Sequence, residues 1–327
     1  MTIRRPLRVA FALLLPLAAT GCRLGAQEVA ERMVDRTLSV DPAVTLDIRT
    51  GSGNIAIRSG SSGAVRVIAR IQGRGWPGGD VEERVRRLEA NPPIEQDGGV
   101  VRIGHIADRD LVRNIRISYE VTAPVETAVR SRTGSGDQTI AGVRGPVAAR
   151  TGSGTIDVRH IQADVDATTG SGDITGDDLR AGFAGRAGSG SIRVDGIGGA
   201  ASARTGSGDV ALAQTADGDV DITTASGSIE VTGARQALRA RAASGDIRLD
   251  GRPGRDWDVA SSSGSIRVRF PADSAFELSA RTASGGVEVG HPITVAGAST
   301  RARVRGTVRG GGPRVAISAA SGSIHVN

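Results

Sequence analysis

The side chains able to do chemistry are thinly spread along this 327-residue chain. Four histidines, His105, His160, His291 and His325, are scattered with no HExxH spacing. Lysine is absent, so all 41 basic residues are arginine and a GxxxxGK[ST] phosphate loop is excluded. No G-x-S-x-G nucleophile elbow occurs. Two sets of carboxylates stand out. Asp137, Asp173, Asp209 and Asp246 each follow a recurring glycine and are interleaved with Thr155, Ser191, Ser228 and Ser265. β-Helix enzymes that cut polysaccharides gather carboxylates on one coil face, which would make this set a polysaccharide-active site. A turn that needs a small polar residue explains the mixture better. Asp217, Asp219 and Asp221 are dense enough to suggest calcium, but lack the glycine and distal glutamate of an EF-hand. A polar turn on a strand accounts for them. The expectation is a non-enzymatic chain with no catalytic residue, no metal and no cofactor.

The elements that must carry these residues are set by a repeat. The word Ser-Gly, one further residue, then Ile or Val recurs with its glycine at Gly53, Gly136 (where Gln138 replaces the apolar residue), Gly154, Gly172, Gly190, Gly208, Gly227, Gly245, Gly264, Gly285 and Gly322. From Gly136 to Gly264 the step is 18 or 19 residues. Two residues after the glycine stand Ile156, Ile174, Ile192, Val210, Ile229, Ile247 and Ile266, and further apolar or small positions follow by twos. Alternation by two means strand. Two short strands per period, each closed by a turn containing Gly or Asp, mean one coil per period. A lone coil cannot bury its apolar face, so the coils must stack. The expected fold is all-β, a β-solenoid of stacked coils of about 18 residues, two strands per coil. Only 2% of residues are aromatic, which suits a thin core of Ala, Val, Ile and Leu. In this register Ile192 points inward and Arg193 outward.

The ends are less regular. Residues 126–327 hold the regular repeats and 44–125 the N-terminal coils, with Val44 to Ile71 as a first coil. Residues 72–96 read as a short helical insertion, with a helix over Asp80 to Ala90 that presents Val81, Val85 and Leu88 on one face and stops at Asn91-Pro92-Pro93. Such an insertion would cap the solenoid. The gap of 37 residues between Gly285 and Gly322 reads as about two periods.

Residues 1–21 have a basic start (Arg4, Arg5, Arg8), an apolar run from Val9 to Ala19 and small residues, the pattern of a signal peptide. The stretch Ala19-Thr20-Gly21-Cys22 resembles a bacterial lipobox, in which the chain is cut before the cysteine and its thiol carries diacylglycerol. Cys22 is the only cysteine, so no intramolecular disulfide can form and lipid attachment is its expected role. Residues 22–43 are then a lipid-anchored tether. Arg23, where aspartate would favour inner-membrane retention, points to the outer membrane.

The repeat resembles the bacterial domain family DUF4097, which carries an adhesin label. The matching residues are Thr151-Gly152-Ser153-Gly154-Thr155-Ile156 and its ten relatives, with Tyr119-Glu120-Val121-Thr122-Ala123-Pro124 like the family's strand before the array. The resemblance implies a β-solenoid and an extracytoplasmic location, and brings no catalytic residue.

The formal net charge is +6, of which Arg4, Arg5 and Arg8 supply three. Elsewhere arginine is interleaved with Asp and Glu and reads as a solvated mixed-charge surface. Basic runs and stacking aromatics are missing, so no nucleic-acid partner is expected. The partners expected are the membrane, through the N-terminal lipid, and a protein or glycan of unspecified type. The function expected is a cell-envelope lipoprotein acting as an adhesin-like or scaffold module, periplasmic or surface-facing. The alternatives are a polysaccharide-binding or polysaccharide-active β-helix, and a periplasmic partner of an envelope signalling system.

Overall fold

The computed structural model describes residues 27–327 apart from 62, 76–78 and 297–298. The alternation read from the sequence becomes two long sheets, one of 14 strands and one of 15. Each coil gives one strand to each. Val147–Ser153 lies in the larger sheet, the chain turns at Gly154, and Ile156–Ile161 lies in the smaller. Parallel pairing keeps equivalent positions in line: Ile156, Ile174, Ile192 and Val210 occupy successive rungs, about 4.8 Å apart. Their side chains and those of Val147, Val165 and Phe183 opposite are buried in one continuous core. The extra residue of the 19-residue coil after Gly208 falls in the turn between Val210–Gln214 and Val220–Ser226, outside both ladders.

The corner glycine is fixed by the stack as well as by its own φ. Gly190 has φ of 138°, and a Cβ there would fall on the carbonyl oxygen of Gly172 in the preceding coil. The same close approach repeats at Gly154, Gly208 and Gly245. Beside this corner runs an inward hydroxyl ladder. Thr151, Thr169 and Thr205 donate to the carbonyls of Gly136, Gly154 and Gly190 at 3.1, 3.0 and 2.9 Å. The coil at Ala187 lacks the hydroxyl.

The ends differ from expectation in three respects. Gln27–Ser39, read as part of a tether, is a 13-residue strand paired antiparallel with Ala64–Gly75. Val65, Val67 and Ala69 therefore belong to an antiparallel end cap that pairs with Ile115–Ala123, not to a first coil. Within 72–96 the strand persists to Gly75 before the helix Val81–Ala90, and Ile94–Asp97 forms a further strand. The helix buries Val81, Val85 and Leu88 as the spacing predicts. Third, the terminal coils do not stack in sequence order. Thr45–Ser52 lies between Val100–Ile103 and Ala128–Ser135. At the other end Arg314–Ser321 slots between Trp257–Ser263 and Phe276–Ser284, and Ile324–Val326 between Ile266–Arg269 and Val287–Val289. The 37-residue gap is not two periods. It is an excursion over Ile293–Val295 and Arg303–Val308, which pair antiparallel and cover that end.

Candidate ligand-binding face

The residues singled out for chemistry are dispersed by the fold and used by it. Asp137 accepts a hydrogen bond from the backbone N–H of Thr155 at 2.9 Å, Asp173 from Ser191 at 2.8 Å, Asp209 from Ser228 at 2.7 Å and Asp246 from Ser265 at 2.9 Å. Each carboxylate caps the corner of the next coil. The interleaving from Asp137 to Ser265 is strict, so neighbouring carboxylates lie two rungs, about 9.6 Å, apart. Two on adjacent rungs would repel. Asp217 accepts from the Gln236 amide at 3.1 Å, Asp219 from the N–H of Ala237 at 3.3 Å while also pairing with Arg255, and Asp221 from Arg204 at 2.8 Å. Among the described residues no three His, Cys, Asp or Glu side chains come together as metal ligands.

The histidines lie in four separate places. His105 sits by Asp47, His160 by Asp178, His325 by Glu288, and His291 against Phe270 and Phe276. Arg180 and then His160 hold the Asp178 carboxyl below the ordinary carboxylate range. Cys22 lies outside the described residues.

What the fold does gather is arginine. In the larger sheet the residue two positions before each outward glycine or alanine also faces out, and stacking lines these residues up. In rung order they are Arg49, Arg132, Arg150, Thr168, Arg186, Arg204, Thr223, Arg241, Ala260, Ser318 and Arg281. Seven of the eleven are arginine and none is acidic. The row spans about 48 Å. Arg49, Arg186, Arg204 and Arg241 pair with Asp47, Asp166, Asp221 and Asp258 in the neighbouring row at 3.3, 3.6, 2.8 and 2.9 Å. Among the described residues Arg132, Arg150 and Arg281 have no carboxylate partner.

On the other side of the arginine row runs a floor of exposed small residues, from Gly134, Gly152 and Gly170 to Ala243, Ser262 and Ala283. Beyond it every rung ends in serine, eleven in line from Ser52 to Ser284. Among the described residues none of these hydroxyls is engaged by another group. Where the arginine row breaks, at Ala260 and Ser318, the surface hollows into a groove of about 1210 Å³. Arg241, Arg281 and Arg303 stand around it, with Thr300 and Ala302 of the end cap as one wall. Its other lining residues are Ala, Ser and Thr, with no Asp or Glu. A second hollow of about 1150 Å³ lies on the same outer face, on the opposite side of the arginine row from the serines; Asp166, Asp219, Asp221 and Asp258 line it, together with Asp164 and Asp256, which accept from the N–H groups of Gly182 and Arg314.

The reading of arginine as interleaved with acid holds across the strands, where Asp47, Asp166, Asp221 and Asp258 flank Arg49, Arg186, Arg204 and Arg241, while along the stacking axis arginine forms a row of its own. Along the chain the charges do mix. In the fold a period of 2 separates the faces, and a period of 18 or 19 places like residues side by side. The signal was present as Arg-Thr-Gly-Ser at 132–135, 150–153 and 204–207, and in the related words at 186–189, 241–244 and 281–284.

A search of curated proteins finds no match to the chain. Among solved structures it is similar to a proposed cell adhesion protein from Clostridium sporogenes, at 11% identity and a TM-score of 0.23, over 90% of this chain and 99% of that one. It is also similar to a proposed lipid-binding protein from Parabacteroides distasonis, at 13% identity and 0.38, over 90% and 96%. A proposed adhesin from Bacteroides fragilis aligns at 12% identity and 0.28, over 91% and 99%. Residues 146–327, more than half of the chain and most of its regular array, match the family model described as Toastrack DUF4097, and the chain belongs to that family.

Proposed function

We propose that the protein is a non-catalytic binding module of the bacterial cell envelope, held by lipid at Cys22 and presenting the outer face of its larger sheet to a partner. The observation that carries this reading is the contrast between the two kinds of charged residue. The repeat carboxylates are consumed by backbone N–H groups of the stack, whereas arginine and serine are held in straight rows facing out. An enzyme needs converging groups within reach of one bond. A row gives the same contact many times over, which suits adhesion or scaffolding.

The lipid anchor rests on Ala19-Thr20-Gly21-Cys22 and the basic, apolar segment before it. Two or three acyl chains give stable attachment where a single one is marginal. The test is fractionation and protease shaving of intact cells carrying wild type or Cys22→Ser. The expected result is that wild type sediments with membranes, Cys22→Ser is released, and wild type is digested without lysis. Protection of the wild type until the outer membrane is opened would make it a periplasmic scaffold and remove the adhesin role. Firm membrane attachment of Cys22→Ser would overturn the anchor.

A further inference from the structure

We propose that the outer face of the larger sheet binds a linear acidic polysaccharide, laid along the solenoid axis between the arginine row and the serine row. This assignment rests on the reading of that face as the binding surface and names what it takes. The argument starts from repetition. A row with arginine at seven of eleven rungs, of which Arg132, Arg150 and Arg281 have no carboxylate beside them among the described residues and four lean on the aspartates of the next row, meets negative charge spaced along a chain, not a single anion. The guanidinium is planar and takes carboxylate two-pronged, and the absence of lysine makes every cation on this face of that type.

The rest of the face decides which polyanion. A nucleic acid held without sequence preference stacks its bases on aromatic side chains. Tyr119, Phe183, Trp257, Phe270 and Phe276 are all buried, so among the described residues no aromatic lies on this face. Instead a flat floor of Gly and Ala lets a ribbon-like chain approach the backbone, and free serine hydroxyls line its other side. Those hydroxyls donate to and accept from sugar hydroxyls, while carboxylates meet arginine across the floor. The groove around Arg241, Arg281 and Arg303 adds a concave end to the track. Its third arginine comes from the end cap and stands where the row itself has Ala260 and Ser318. At the other end Arg132 and Arg150, on adjacent rungs, have no carboxylate partner to displace.

The test is direct binding of the full chain, in detergent, to polygalacturonate. Its fully methyl-esterified form, the same backbone without charge, and single-stranded DNA of similar length are measured beside it. The expected result is salt-sensitive binding of polygalacturonate and at least tenfold weaker binding of both the ester and the DNA. Two double variants, Arg132→Gln with Arg150→Gln and Arg281→Gln with Arg303→Gln, are each expected to weaken binding about tenfold. Arg193→Gln, on the opposite sheet, should leave it unchanged. All five substitutions are at the surface, and circular dichroism and melting verify the fold. Equal binding of the ester would overturn the role of arginine. DNA binding as tight as polygalacturonate would show unselective attraction and overturn the glycan assignment. Loss of binding in Arg193→Gln equal to that in the double variants would overturn the face. Absence of polygalacturonate binding by a protein that cell shaving finds at the surface removes the ligand and leaves the envelope role standing.

Discussion

Tyr119 is the chain's only tyrosine and is buried, with no hydrogen-bond partner for its hydroxyl among the described residues. Burial pushes that hydroxyl well above the ordinary tyrosine range, because a phenolate would be stranded in the core. Lysine is absent and arginine does not titrate, so among the described residues the side chain that responds in alkali is Tyr119. In the unfolded chain Tyr119 ionises near pH 10. Its contribution to stability is therefore complete below about pH 10 and is lost as pH rises beyond it, at about 1.4 kcal/mol per unit. Melting should show a flat Tm from pH 8 to 10 and a falling one above. Tyr119→Phe should stay flat throughout. An equal fall in that variant would assign the alkaline loss to another cause.

At the scale of the strand, the hydroxyl ladder sets the next expectation. Ala187 is aligned between Thr169 and Thr205, both of which donate to a corner carbonyl. Ala187→Thr restores the missing rung by donating to the carbonyl of Gly172. It should stabilise by about 0.5–1.5 kcal/mol, a rise in Tm of a few degrees in thermal denaturation. A lower Tm would mean that the added methyl group crowds the core more than the hydroxyl bond gains. The ladder also marks what the sequence could disclose. Ile192 inward and Arg193 outward, the Gly corner and the helix with Val81, Val85 and Leu88 were all readable, because each follows from a local period or a local steric demand. The strand Gln27–Ser39 was not. It carries little alternation of its own and forms against the edge offered by Ala64–Gly75, a contact that no period announces. The arginine row escaped for a related reason. It exists only once the coil register is applied to outward positions, and attention to the apolar positions passes over them.

At the scale of the molecule, the two ends are interlocked with the array. In a simple solenoid, loss of the last repeat leaves the rest intact. Here the last repeat is a filling. Deleting Arg314–Asn327 removes Val315, Ile317, Ile324 and Val326, all buried, and parts the two coils on either side. Four such side chains are worth about 6–12 kcal/mol of burial, comparable with the whole stability of an ordinary domain. Hydrogen exchange should find Phe276–Ser284 unprotected in the truncated protein, although no residue of that strand is deleted. Retained protection there would show that the outer coil docks without the filling.

The displaced order of the terminal coils has a consequence for how such a chain can change in length. Each end is a bookend assembled from pieces far apart in the sequence, and neither offers a place to append another unit. Between Val147 and Arg269 each coil stacks in parallel on the one before it, so an extra 18-residue unit slipped in there meets the same kind of neighbour above and below and disturbs neither bookend. The molecule is extensible from its middle, and each unit added would lengthen the arginine and serine rows together by one rung, about 4.8 Å.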